Sequence, residues 1–177
     1  NLSPYVECGI PIVGLEPSCV FTIKEELPIL IPGEKAQKLA DNVRLLEEYF
    51  FQEIKAGRLK LENKILEKKK VLLHGHCHQK AFDALNYSVE LLESVEGIEV
   101  ETISSSCCGM AGAFGYQSEN YDVSMKMAEL SLLPRIRKAG GDAIVSACGT
   151  SCRQQIKHGT GRSVEHPISI LRKMCID

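Results

Sequence analysis

The stretch Ser106-Cys107-Cys108-Gly109-Met110-Ala111-Gly112-Ala113-Phe114-Gly115-Tyr116 sets two cysteines side by side and follows them with three glycines. Adjacent residues rarely share a disulfide, because the bridge would strain the peptide between them. Their sulfurs can instead serve neighbouring irons of one cluster. The glycines clear side chains away, so that backbone N–H groups reach anionic sulfur; Gly109 is the first candidate for this role.

Outward from this loop the same layout recurs. Ile98 to Ile103 reads as a strand leading into it. Val71-Leu72-Leu73 is a buried strand that opens into His74-Gly75-His76-Cys77-His78, and a helix carrying Phe82, Leu85, Val89 and Leu92 follows. Ala143 to Ala147 is a strand opening into Cys148-Gly149-Thr150-Ser151-Cys152, with a helix from Arg153 and a last one near Ile168 to Met174. Near the start, Ile10 to Leu15 reads as a strand that runs into Glu16-Pro17-Ser18-Cys19. Between these units, Glu34 to Ala56 reads as one helix with a stripe at Leu39, Val43, Leu46, Phe50 and Ile54. A helix from Glu119 to about Leu133, stopped or kinked at Pro134, should face Val123, Met127 and Leu130 inward. Residues 58 to 70 are rich in Lys and Glu and read as a solvated linker; Lys68-Lys69-Lys70 belongs to that face. Alternating strands and helices predict an α/β fold, a parallel sheet flanked by helices. The cysteine loops then converge at the C-terminal edge of the strands, where such sheets seat ligands.

Composition bounds the chemistry. With 177 residues, 44% of them hydrophobic, the chain can bury a core. A net charge of -2 argues against a nucleic-acid partner, and no apolar run is long enough to span a bilayer. No basic region followed by an apolar one opens the sequence, so a secretory leader is not expected. Starting at Asn1 rather than Met, the chain reads as a piece of a longer protein. Eight cysteines without a secretory signal point to metal or redox chemistry in a reducing compartment, the cytoplasm or the inner face of a membrane reached through a partner. The spacing is Cys77, 29 residues, Cys107-Cys108, 39 residues, then Cys148 and Cys152. It lacks the C-x-x-C knuckles of structural zinc and the dense run of a ferredoxin. Thiolates collected from distant loops suit a cluster in a preformed crevice.

His76-Cys77-His78-Gln79-Lys80-Ala81, the Cys107-Cys108-Gly109 loop and Ser151-Cys152-Arg153-Gln154-Gln155-Ile156 together resemble the cysteine-rich CCG domain. That family includes a subunit of heterodisulfide reductase and the iron–sulfur subunit of glycolate oxidase. The wording is most similar to the C-terminal part of FAD-linked D-2-hydroxy-acid oxidases that carry iron–sulfur motifs. The resemblance implies that residues 1–66 are the remnant of a preceding half plus a connecting helix. Residues 67–177 are then the cysteine-rich domain, the two making one compact unit. It implies cluster ligands at Cys77, Cys107, Cys108 and Cys152. The family places a further cysteine where Gly149 stands, one residue after Cys148, and four firm cysteines favour a cubane 4Fe–4S cluster. Cys148 and Cys19 are additional candidates, Cys19 as a remnant ligand, a second-site ligand or a buried thiol. His76 and His78, with His74 on the same strand face, are candidates to tune the cluster; Arg153 is a candidate partner for cluster charge or a substrate carboxylate.

The function expected is electron relay from a flavin that oxidises lactate, glycolate or 2-hydroxyglutarate to a carrier such as a quinone. The spacing Gly109/Gly112/Gly115 is not G-x-G-x-x-G. FAD therefore belongs to a separate domain or subunit, alongside a ferredoxin-type domain, and the isolated chain is not expected to turn over substrate. Two other classes remain: a thiol–disulfide catalyst built on Cys107/Cys108, and a structural zinc module, zinc being a possible occupant of an isolated fragment.

Overall fold

The computed structural model describes residues 1–62, 64 and 67–175. In chain order come α1 (Ser3–Glu7), β1 (Ile12–Gly14), α2 (Pro17–Phe21), a π-helical turn (Thr22–Glu26), α3 (Leu27–Leu30), α4 (Glu34–Asn42), β2 (Val43–Leu45) and α5 (Leu46–Lys55). Then follow β3 (Lys69–His74), α6 (Cys77–Ala81), α7 (Leu85–Glu93), β4 (Ile98–Thr102), α8 (Tyr121–Glu129) and α9 (Leu132–Arg137). The chain closes with β5 (Ile144–Ala147), α10 (Thr150–Thr160), β6 (Val164–Glu165) and α11 (Pro167–Cys175).

The expected α/β architecture is present. Four strands pair in the order β4-β3-β5-β6, all parallel. β3 is central, and Val71, Leu72 and Leu73 are fully buried, the continuous apolar run that a parallel strand covered on both faces requires. Alternation sends neighbouring side chains to opposite layers. Val71 packs with Leu91, Leu92, Ile170 and Leu171 of α7 and α11. Leu72 packs with Ala128, Leu132, Leu133, Ile136 and Ile156 of α8, α9 and α10. The chain leaves β3 for β4 on one side, then crosses to β5 on the other. The order therefore reverses between β3 and β5, the kind of switch point at whose carboxyl ends open α/β sheets seat ligands.

Several local expectations are corrected. The strand near Cys19 is not in this sheet: β1 pairs with β2 in a separate two-stranded parallel sheet, Ile12 opposite Val43. The helix expected across 34–56 is therefore two helices joined by Val43-Arg44-Leu45 in extended form. Val43 and Leu45 are both buried beside Val20 and Phe21, so a period of two locally overrides the helical stripe. The helix after Cys77 also breaks. Asp83 takes a φ of 52° and Phe82 is exposed, stacked on Phe21 at 4.9 Å. The 119–133 helix ends at Glu129; Pro134 sits in the first turn of α9, where its missing N–H costs nothing. Val123 and Leu130 are exposed, and small Ser124 and Ala128 face the core instead. The solvated stretch 58–70 falls partly on residues 63, 65 and 66, outside the described residues. Where described, Lys69 pairs with Glu67 at 2.7 Å and Lys70 with Glu101 at 2.9 Å. Among the described residues no helix is long and apolar enough to cross a membrane.

Candidate metal centre

Three loops, each leaving a strand of the main sheet, bring the sulfurs together. Cys77 begins α6 just beyond β3, and its position is set by a reciprocal cap. His76 Nδ1 accepts from the His78 N–H, and the His76 N–H donates to Gln79 Oε1, both at 3.2 Å. Cys107 and Cys108 lie in the loop after β4. Lys80 Nζ holds that loop by donating to the carbonyl of Ser105 at 2.7 Å and to that of Ser106. Cys152 lies in the first turn of α10, and Glu16 caps that turn by accepting from the Thr150 N–H at 2.8 Å. The Glu16-Pro17-Ser18-Cys19 segment thus positions Cys152 through its first residue, while Cys19 itself is solvent-exposed.

All eight cysteines are free thiols. Cys77 interacts electrostatically with Cys107, Cys107 with Cys108, and Cys108 with Cys152. Their charges are shared unevenly. Cys107 is held far below the ordinary thiol range by S–H donation from Cys108 and Cys77, with the Gly109 and Ala111 N–H groups adding to it. The Gly109 N–H lies 3.3 Å from Cys107 Sγ. Cys152 is lowered to about 5, first by Cys108 and then by His74. Cys77 and Cys108 are pushed up, chiefly because each keeps its proton to donate a hydrogen bond toward the Cys107 thiolate. Such a set of crowded, partly ionised thiols releases mutual repulsion when it closes on cations.

The histidines frame this group. His74 is buried; its Nδ1 lies 2.9 Å from Ser105 Oγ, and its Nε2 has no hydrogen-bond partner among the described residues. The donor atoms of His74, Cys108 and Cys152 all lie within 4.8 Å of one another. Burial lowers the His76 pKa and favours its neutral ring. That ring stacks on His78 at 5.3 Å, and a β-carbon at Gly149 would collide with it. His78 Nδ1 is likewise buried without a partner among the described residues. Buried polar atoms left open beside converging thiols, with N–H groups aimed at sulfur, fit a sulfur-ligated metal group.

Two candidates lie elsewhere. The Cys148 sulfur is fully buried in a separate group: it donates to Glu47 Oε1 at 3.1 Å and accepts from Gln79 Nε2 at 3.3 Å. His166 Nε2 stands 3.4 Å from the same Glu47 oxygen. Burial pushes the Cys148 thiol well up and keeps it protonated. Arg153 turns back on its own loop, donating to the carbonyls of Ala147 (3.1 Å) and Cys148 and to Thr150 Oγ1 at 3.1 Å. Sequence reasoning gave no role to Glu16, Glu47, Gln79 or Lys80. Gln79 and Lys80 follow Cys77 directly and could have been found as its helix. Glu47 meets Cys148 only through the tertiary fold, 101 residues away.

Comparison with known proteins agrees with this architecture. The chain is 32% identical over 164 residues to a subunit of the anaerobic glycerol-3-phosphate dehydrogenase of Escherichia coli, covering 92% of the chain and 40% of that protein. It is 28% identical over 174 residues to D-2-hydroxyglutarate dehydrogenase of Pantoea ananatis and 27% over 172 residues to that of Pseudomonas putida, spanning 16% of each. The chain thus corresponds to less than half the length of these relatives. No solved structure gives a significant match. Residues 71–157, from the central strand to the middle of α10, match the model of the cysteine-rich domain, CCG, and that segment of the chain belongs to the family.

Proposed function

We propose that this chain holds an iron–sulfur cluster and serves as an electron-transfer domain of a larger dehydrogenase. One observation carries the reading: Cys77, Cys107, Cys108 and Cys152 interact pairwise in the loops beyond the strands where the sheet order reverses. A cluster there would supply one-electron carriage. The residues of this chain would bind and tune it. The four thiolates ligate. The N–H groups of Gly109 and Ala111 donate to sulfur, spread its negative charge and favour the reduced form. His74 Nε2 presents a further donor from the buried side. Lys80, half-buried beside the sulfurs, adds a compensating positive charge.

The relatives' names attach the family to dehydrogenases of glycerol-3-phosphate and D-2-hydroxyglutarate. Both molecules carry a secondary hydroxyl beside anionic groups. We assign the alcohol oxidation to a flavin on a separate domain or subunit, with a ferredoxin-type domain as neighbour and a quinone or similar acceptor beyond it. A 2-hydroxy acid is the substrate class first expected, and residues 1–66 stand as the remnant of a preceding half-module. The site of action is the cytoplasm, at a membrane only through partners. Four sulfurs favour a cubane 4Fe–4S group.

Protein purified without oxygen and reconstituted with iron and sulfide tests this. About four irons and four labile sulfides per chain, with broad absorbance and an EPR signal lost in Cys107→Ser, support it. Stoichiometric zinc, with no iron uptake and no colour, overturns it. The mixed donor group of His74, Cys108 and Cys152 favours zinc as the second reading.

A further inference from the structure

A cleft of about 700 Å³ runs along β6, between α10 and α11. Arg153 walls one side; Ser169, Arg172 and Lys173 form the other; the run Ser163 to His166 completes it. No cysteine lines it, so it is distinct from the metal centre. Its charge is unbalanced. Lys173 is neutralised by Glu165 at 2.8 Å. Arg153 is held only by neutral oxygens. Arg172 has no hydrogen-bond or ion-pair partner among the described residues. Two guanidinium charges therefore face one space with no carboxylate left to cancel them. One of them, Arg153, is fixed in place by main-chain carbonyls rather than free in solvent.

We propose that this cleft binds a small organic dianion, a phosphate monoester or a dicarboxylate. A guanidinium fork matches both anions in bidentate geometry, which an isolated ammonium does not. Ser163 and Ser169 supply hydroxyl donors. The volume suits a metabolite rather than a macromolecular surface. This proposal does not depend on the cluster reading, because none of the sulfurs takes part.

Calorimetric or NMR titration of the whole chain with inorganic phosphate, and separately with glutarate, at constant ionic strength tests it. Saturable binding of either probe with a Kd of about 1 mM or tighter is expected. Arg172→Gln, an exposed change that leaves the fold intact by circular dichroism, should weaken it about tenfold, and Ser169→Ala by several-fold. Lys38→Gln, on α4 outside the cleft, should leave it unchanged. Phosphate binding alone assigns the monoester class, glutarate binding alone the dicarboxylate class, and binding of both the dianion class in general. No saturation by about 10 mM, or equal weakening by Arg172→Gln and Lys38→Gln, overturns the proposal.

Discussion

Replacing Gly109 by alanine separates two costs that a glycine can hide. Gly109 has a φ of 92°, and Gly112, three residues on, has a φ of 68°. Both sit where an L side chain strains the backbone, a cost of roughly 1–2 kcal/mol. Only Gly109 is also enclosed. A β-carbon there would meet the Ser124 carbonyl carbon at 3.0 Å, the carbonyl oxygen closer still, and Gln155 Nε2 at 3.3 Å. Around Gly112 nothing lies within 4 Å. Gln155 Nε2 donates to Ser124 Oγ at 2.8 Å, so relief by movement of Gln155 breaks a buried hydrogen bond. Overpacking of this kind costs about 1–3 kcal/mol more. Gly112→Ala should therefore lose about 1–2 kcal/mol and Gly109→Ala about 2–5 kcal/mol, read from urea unfolding with unchanged slope. Gly109→Ala should also lower iron retention, because the Gly109 N–H is drawn away from Cys107. Equal losses in the two variants, within about 0.5 kcal/mol, would refute the claim that close approach to α8 fixes this loop.

The remaining predictions concern the sulfurs and one carboxylate. Cys148→Ser should keep the iron content of the reconstituted chain, whereas Cys107→Ser and Cys108→Ser should lose it; loss in all three would place Cys148 among the ligands. In the metal-free chain, Cys107 should be alkylated fastest by iodoacetamide and still react at pH 6, since its thiol is held far below the ordinary range and it is only half-buried. Mass spectrometry that found Cys77 modified first would contradict the charge distribution. Burial opposes ionisation of Glu16, but hydrogen bonds from Thr150 and Ser18 outweigh it and hold the carboxyl below its usual 4.5. Its stabilisation is therefore whole above about pH 4.5 and is lost as the pH falls through the lowered folded value. Glu16→Gln should flatten that part of the acid limb in thermal unfolding, and an unchanged limb would show that Glu16 does not hold α10.

Three strands of the main sheet, β3, β4 and β5, were legible because each opens into a cysteine loop; β6, the two residues Val164-Glu165 with no cysteine loop after them, carried no such signal. The convergence of Cys77, Cys107-Cys108 and Cys152 follows from parallel strands sharing one direction. What misled were places where a short period competes with a long one. Val43 and Leu45 fit a helical stripe on paper, yet they pair with Ile12 and Gly14 as a strand because both then bury completely. Val123 and Leu130 carry the right period but the wrong face: α8 approaches Gly109 so closely that only Ser124 and Ala128 fit beneath it. The departure of Cys148 from the other sulfurs had a trace in sequence, the three residues rather than two between Cys148 and Cys152. Its partner Glu47 had none, since the pair Glu47-Glu48 beside an apolar stripe looks like any solvated position.

The two apolar layers on either face of β3 are built chiefly of leucine, isoleucine, valine and alanine; of the four thiols, Cys108 and Cys152 are buried in one layer, Cys107 packs against it, and Cys77 belongs to neither. A zinc finger collapses when its ion leaves, because the ion replaces a core. Here most of the folding free energy resides in leucine, isoleucine and valine contacts that persist whatever occupies the loops. On the proposed reading, an inorganic group would load onto and leave a scaffold that stands without it.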